Sequence, residues 1–403
     1  MIIPRPRYLE KLAAYRDKDL VKVLTGLRRS GKSTMLNLFK LHLQETGIAA
    51  SRIVFINFER PETDSLRDPR KLYDHIVGQT VSGEKTYVFL DEIQRVERFE
   101  EAVDGLYLHK DIDLYITGSN AYFLSGELAT YLSGRYLEIE ILPLSFAEYA
   151  AALPNESNNL QNLYARYATY GGLPYTLEMG NDDFTLFDYL GGVYNTVVRK
   201  DVARQRGNAD PILLDSIVKF LIDSIGSPIS VKKIADTLTS KGRKITNHTV
   251  SDYMQALLDA FVFYRTTRYD LRGRQLLQTQ EKYYLSDLGF KYYLFGASAG
   301  NVGHILENIV YLELRRRCTQ INVGLINGTE IDFVATGRNG VAYYQVSASV
   351  LDPATLEREL KPLRAIPDNY PKYLLTLDTI GNGSHAGIIQ ENVLEWLLTG
   401  NDL

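Results

Sequence analysis

Over residues 1–145 short apolar runs alternate with stretches of helical periodicity. The runs are Val21–Thr25, Ile53–Phe58, Tyr87–Leu90, Leu114–Thr117 and Leu137–Ile141. Short apolar runs alternating with helices are the signature of a parallel sheet, so the first domain is predicted as α/β, residues 1–145. From 146 to 208 the pattern turns helical, broken only at Gly171-Gly172-Leu173-Pro174. Residues 209–285 read as three amphipathic helices and a hairpin, and residues 286–403 return to mixed α/β with strands near Ile331–Ala335, Ala342–Val346 and Tyr373–Leu377. No internal repeat or low-complexity tract interrupts the series.

The first run ends in Gly26-Leu-Arg-Arg29-Ser30-Gly31-Lys32-Ser33-Thr34, which satisfies G-x-x-x-x-G-K-[ST] at every required position. An amphipathic stretch from Thr34 through Leu43 follows. Strand, glycine loop and helix together aim backbone N–H groups and a helix N-terminus at an anion, so Gly26, Arg29, Ser30, Gly31, Lys32, Ser33 and Thr34 are the expected nucleotide phosphate cradle. Lys32 is placed to bridge the β- and γ-phosphates of ATP, and the Ser33 hydroxyl to hold Mg²⁺.

The third run, Tyr87-Val-Phe-Leu, ends in Asp91-Glu92. A buried strand that delivers two carboxylates to the C-terminal edge of a parallel sheet puts them where such sheets bind ligands. Asp91 is the expected Mg²⁺ partner and Glu92 the general base that polarises the attacking water. The plainer alternative is a cap for the helix from Ile93. A second acid suits water activation better than transfer to a substrate hydroxyl. The fourth run ends in Thr117-Gly118-Ser119-Asn120, where Ser119 and Asn120 are candidates to hydrogen-bond the γ-phosphate or the lytic water.

These motifs, in this order, resemble the AAA-type ATPases of bacteria and archaea in the additional-strand P-loop class. More narrowly the chain resembles prokaryotic ATPases that carry a C-terminal domain of unknown function. Leu132-Ser-Gly-Arg135, Pro143-Leu-Ser-Phe-Ala-Glu-Tyr and Gly171-Gly-Leu-Pro support the likeness, which spans nearly the whole chain. It implies ATP and Mg²⁺ as ligands, a helical lid over 146–208, and an arginine finger at Arg135, acting in its own subunit or in a neighbour's if the chain forms homo-oligomers. A strand-start salt bridge is the other reading of Arg135.

Within 209–285, Ile212–Ile222, Ser230–Leu238 and Thr246–Ala260 are predicted helices, followed by a hairpin of Phe261–Tyr269 and Lys282–Leu285. Three helices and a β-ribbon make a winged helix. Between Thr196 and Arg274 there are 14 Lys and Arg against 8 Asp, on a chain whose formal net charge is −4. Lys241, Arg243 and Lys244 precede the third helix, whose exposed face offers Asn247, His248, Ser251 and Gln255; Arg272 and Arg274 sit at the wing. Residues 241–274 are thus a candidate surface for double-stranded DNA, against the alternative of a winged helix used only for packing.

The segment around Glu307, then Glu330 and Asp332, then Gln345 and Ser347 resembles the PD-(D/E)XK nuclease fold with its E-x-K strand degraded: Gln345 replaces the acid and Ser347 the lysine. Without that lysine the resemblance implies a recognition domain for a partner, a protein included, more than a metal-dependent nuclease.

Composition narrows the rest. The single cysteine, Cys318, rules out a disulfide framework or a cysteine zinc site and suggests a reducing, cytoplasmic compartment. No apolar run reaches the roughly 18 residues that mark a membrane span. The leading expectation is an Mg²⁺-dependent ATPase whose nucleotide state moves a winged helix and a C-terminal recognition domain near DNA. A slow switch for a protein partner and an ATP-regulated nuclease stand behind it.

Overall fold

The structure, a computed structural model, describes residues 2–118, 132, 134–154, 159–180, 182–203, 210–273, 275–297 and 301–399. The chain divides into two compact units, one of residues 1–143 with 259–261 and the other of 144–258 with 262–403.

The first unit is built from α1 (Pro6–Ala14), β1 (Val21–Thr25), α2 (Lys32–Glu45), β2 (Ile53–Asn57), α3 (Pro69–Val77), β3 (Thr86–Asp91), α4 (Phe99–Tyr107), β4 (Ile112–Thr117) and β5 (Tyr136–Glu140). Its five strands lie in the order β2-β3-β4-β1-β5, all parallel. The fold is α/β, and β4 stands between the glycine-loop strand β1 and the acid-bearing strand β3, which is the additional-strand arrangement. Successive residues of each strand face opposite sides. Val23, Val88, Leu90, Leu114 and Ile116 pack against Leu72, Ile76, Val103 and Leu106 of α3 and α4. Leu24, Phe89, Tyr115 and Ile139 pack against Leu12 of α1 and Met35, Leu36, Phe39 and Leu43 of α2.

One buried position breaks the apolar rule. Lys22 of β1 is fully buried and pairs with Asp113 of β4, which also accepts from the Tyr115 hydroxyl at 2.8 Å and the Asp17 amide at 2.9 Å. Burial pushes the Lys22 ammonium below the ordinary lysine value, against the pull of Asp113. A lysine inside a parallel strand is tolerated because its charge and hydrogen-bonding capacity are met there.

The second unit runs α5 (Phe146–Ala152), α6 (Leu160–Tyr170), α7 (Asp183–Tyr194) continued by a π-helical stretch (Asn195–Val202), α8 (Pro211–Asp223), α9 (Val231–Ser240), α10 (Asn247–Asp259), β6 (Phe263–Asp270), β7 (Gln275–Leu285), α11 (Gly289–Phe295), α12 (Val302–Arg317), β8 (Gln320–Ile326), β9 (Thr329–Gly337), β10 (Gly340–Ser347), α13 (Pro353–Arg364), β11 (Lys372–Thr376), β12 (Gly383–His385), β13 (Ile388–Asn392) and α14 (Val393–Thr399). Its mixed sheet has eight strands in the order β12-β13-β11-β10-β9-β8-β6-β7. The hairpin expected as the wing is built into this sheet. Arg268–Asp270 of β6 pair in parallel with Val323–Leu325 of β8, and the Leu271 amide donates to the Leu325 carbonyl.

The Gly171-Gly172-Leu173-Pro174 break is a close-packing site. A Cβ on Gly171 would lie 2.0 Å from Asp287 Oδ1, and one on Gly172 2.5 Å from the Leu144 carbonyl oxygen. The Gly172 and Gly289 amides donate to the two Asp287 carboxylate oxygens at 2.7 and 2.9 Å. Pro143-Leu-Ser-Phe-Ala-Glu-Tyr also gains a local cause: Ser145 and Glu148 form a reciprocal capping box that starts α5.

Candidate active site

Because the first sheet is wholly parallel, the C-terminal ends of β1, β2, β3 and β4 share one edge. The glycine loop leaves β1 there and enters α2 at Lys32. Gly26 has φ +127°, and a Cβ at that position would strike the Ile141 carbonyl oxygen at 2.4 Å, so only glycine fits. Gly31 and Arg29 are also left-handed, at φ +104° and +71°. Successive turns of this kind direct backbone N–H groups into a concavity that suits an anion.

Lys32 is buried, with Nζ donating to the carbonyls of Gly26 and Leu27 at 2.9 and 3.1 Å. The Ser30 hydroxyl is buried and meets no hydrogen-bond partner among the described residues. Ser33 Oγ donates to Asp91 Oδ1 at 3.0 Å. Arg29 and Thr34 are exposed, whereas Arg28 reaches Glu59 at 3.4 Å, a carboxylate that Arg95 also contacts at 3.2 Å.

Asp91 is fully buried at the end of β3. Besides Ser33 it accepts from the Thr117 hydroxyl at 2.7 Å on Oδ1 and from Asn57 Nδ2 at 2.7 Å on Oδ2. Burial pushes its pKa up, Thr117 and Ser33 pull it down, Glu92 pushes up again and Lys32 pulls down. Glu92, half-buried, takes a left-handed backbone (φ +56°) as the chain turns off the strand; its amide donates to Thr117 Oγ1 at 2.8 Å, and its carboxylate accepts from Gln94 at 2.6 Å. A non-glycine residue held in that region stores backbone strain of a kind that clusters at functional sites.

Lys32, Ser33, Asp91 and Glu92 are therefore brought to one sheet edge. Ser119 and Asn120 lie outside the described residues. Arg135 is exposed just before β5, with its guanidinium carbon 5.6 Å from the centre of the Tyr107 ring. Two residues that contact these motifs from outside carry no motif of their own. Asn57 pairs with Asp91 in the β2–β3 register; a polar residue closing an apolar strand was its only signal. Arg5, buried, donates to the Ser30 carbonyl at 3.2 Å.

The residues fit a nucleotide triphosphate with a divalent cation. The loop has glycine where side chains would collide, a buried lysine, and a hydroxyl–carboxylate pair of hard oxygen donors such as Mg²⁺ takes.

A family model described as an AAA domain matches residues 18–150. A second, a domain of unknown function (DUF8612), matches 161–301. An uncharacterized protein of Haemophilus influenzae is 38% identical over 98% of this chain and 99% of its own length.

The chain belongs to the AAA-type P-loop family.

A further relative, an uncharacterized protein of Methanocaldococcus jannaschii, is 28% identical over 86% of this AAA-type chain and 79% of its own. Among solved structures, a Walker-type ATPase of Pyrococcus abyssi shares the fold, with TM-score 0.50 and 15% identity, covering 73% of this chain and 96% of that one. The match to the domain of unknown function falls on the middle of this AAA-type chain, ahead of strands β8–β13.

Glu307 of α12 and Glu330 and Asp332 of β9, the acids singled out from sequence, do come together, but around an ammonium. Lys282 of β7, buried, lies 2.9 Å from Glu307, 2.6 Å from Glu330 and 4.0 Å from Asp332. Burial works against the Lys282 charge, but Glu307, Asp332 and Glu330 outweigh it and hold its pKa above the usual lysine value. Burial together with Glu307 pushes Asp332, the most distant acid, upward. Gln345 donates to Glu359 at 2.9 Å instead of facing a metal. Among the described residues no group of three or more His, Cys, Asp or Glu side chains is arranged to hold a metal ion. The acids are thus gathered around the ammonium of a strand outside the expected motif, a pairing that sequence spacing could not reveal. Among the described residues, too, no helix is long and apolar enough to cross a membrane.

Proposed function

We propose that this chain binds ATP with Mg²⁺ and hydrolyses it. The observation that carries the reading is the Ser33–Asp91 contact, which joins the glycine loop to the acidic strand end beside Glu92. Backbone amides of 26–31 and the Lys32 ammonium would hold the phosphates, and Ser33 and Asp91 would hold the cation. Bound Mg²⁺ would neutralise charge on the β- and γ-phosphate oxygens. Glu92 takes the proton from the attacking water as its oxygen bonds to the γ-phosphorus. The bond from that phosphorus to the β–γ bridging oxygen breaks, leaving ADP and phosphate. Thr117, by donating to Asp91 and accepting from the Glu92 amide, fixes the two acids relative to each other.

The direct test is phosphate release by the wild type, Lys32→Ala and Glu92→Gln. Lys32→Ala should lose nucleotide binding. Glu92→Gln should keep it and slow by about 100-fold or more, the span typical of a general base. Normal turnover by either variant would sink the reading. Arg135 enters this proposal as an arginine finger, supported by its exposed position at the start of β5; Arg135→Ala should then slow turnover at unchanged nucleotide affinity.

DNA is the proposed partner of the second unit, supported by the exposed Asn247, His248, Ser251 and Gln255 of α10 and by exposed Lys241, Lys244 and Arg272. Arg243 is tied to Asp210 at 3.3 Å, and Arg274 lies outside the described residues. Stimulation of hydrolysis by duplex DNA at low salt supports this partner, because phosphate contacts weaken steeply with salt. A basal rate indifferent to DNA favours a protein-binding switch.

A further inference from the structure

The sequence motifs leave Arg5 unexplained, and its surroundings are unusual. It is 3% exposed, yet sits in the N-terminal segment just ahead of α1. Its guanidinium donates to the Ser30 carbonyl at 3.2 Å, to Leu142 at 2.9 Å and to Pro143 at 3.3 Å. The Arg5 cation lies 4.5 Å from the centre of the Tyr8 ring, whose hydroxyl accepts from the Leu142 amide at 3.2 Å. A buried guanidinium is costly unless its planar fork is matched, and here the fork joins two loops 112 residues apart (Ser30 to Leu142).

The same two loops also touch at Gly26, where a Cβ would meet the Ile141 carbonyl, and the Ile141 amide donates to Thr25 at 2.8 Å. A shape change in 26–31 therefore either carries 141–143 with it or breaks the Arg5 bonds. Pro143 is the last residue of the first unit's main segment. The next residue, Leu144, is held at both ends: its amide donates to Gly172 at 2.7 Å and its carbonyl accepts from Tyr167 at 2.8 Å. Ser145 then opens α5 through its capping box.

We infer that Arg5 is a positioning residue that ties the conformation of the phosphate loop to the 142–143 segment, through which nucleotide state is passed along the chain into the second unit. The inference rests on the ATP reading above and adds the route by which binding is transmitted.

The experiment is amide hydrogen exchange over residues 140–146 without nucleotide, with ADP, and with a non-hydrolysable ATP analogue, alongside a separate fluorescence titration of nucleotide affinity. The wild type should show a nucleotide-dependent exchange change of about threefold or more in this segment. Arg5→Gln should bind nucleotide with affinity within about threefold of wild type and lose that change, and Arg5→Lys should restore part of it. Should Arg5→Gln fail to fold, Tyr8→Phe, which removes only the hydroxyl bound to Leu142, should reduce the change at Leu142. An unaltered nucleotide response in Arg5→Gln, or in Tyr8→Phe where that variant stands in, overturns the inference. So does a wild type that binds nucleotide with no change at 140–146. A wild type that binds no nucleotide is seen in the titration alone and refutes the ATP reading itself.

Discussion

Ser33 and Asp91, 58 residues apart in sequence, meet at 3.0 Å where the glycine loop faces the end of β3. Both are hard oxygen donors, and Asp91 is oriented by Thr117 and Asn57 from either neighbouring strand. Ser33→Ala should raise the Mg²⁺ concentration for half-maximal hydrolysis by about tenfold or more, and Asn57→Ala by a smaller factor, since partners of a ligand tune metal affinity. Hydrolysis rates titrated against Mg²⁺ decide this; superimposable curves would remove Ser33 from the metal site.

Gly26→Ala meets two obstacles together, a φ of +127° and a carbonyl oxygen 2.4 Å from the new Cβ. The loop must move to accept it. Nucleotide affinity should fall by more than about tenfold, with thermal stability lowered by about 1–3 kcal/mol from strain at this backbone position. Retained affinity would show that the loop does not need this conformation to cradle phosphate.

Asp287 should make stability depend on pH. Burial raises its pKa from 3.8 to about 7, although the amides of Gly172, Gly289 and Leu173 pull the other way. The folded state therefore holds this proton more tightly than the unfolded chain. The stabilising contribution is complete below 3.8, falls as pH rises to about 7 and is flat beyond. Asp287→Asn should flatten the slope of melting temperature between those limits, whatever its constant offset. Parallel wild-type and variant profiles from pH 4 to 8 would exclude Asp287 as the titrating group.

Lys282→Met should strand three carboxylates around an apolar side chain. Breaking a buried ion pair by removing one partner costs about 3–5 kcal/mol. Denaturant melts should show that loss, and a second change, Glu307→Gln, should recover part of it. A single variant as stable as wild type would mean that the ammonium is not the cluster's counter-charge.

The strands of the first sheet were legible because central parallel strands covered on both faces are written as mainly apolar runs, and β1 through β5 lie within two residues of the expected bounds. The phosphate loop and the Asp91-Glu92 pair were legible because their chemistry is local in sequence. What escaped is long-range. Lys22 interrupts an apolar run, and its counter-charge, Asp113, comes from β4, 91 residues away. Arg5 sits between two prolines with no periodicity to flag it. Lys282 was invisible to a search for E-x-K because it reaches the acids from a different strand. The early start of β7, at Gln275 instead of Lys282, was missed because its polar first half reads as loop.

The union of β6 with β8 has a consequence for how this chain comes apart. Cutting after Leu285 would bare the backbone edge of β8 and strip that of β6, leaving each fragment with an open strand ready to pair with anything extended. The β6–β7 hairpin and the terminal strands therefore belong to one sheet, and a fragment of the second unit that keeps its strand edges covered retains both.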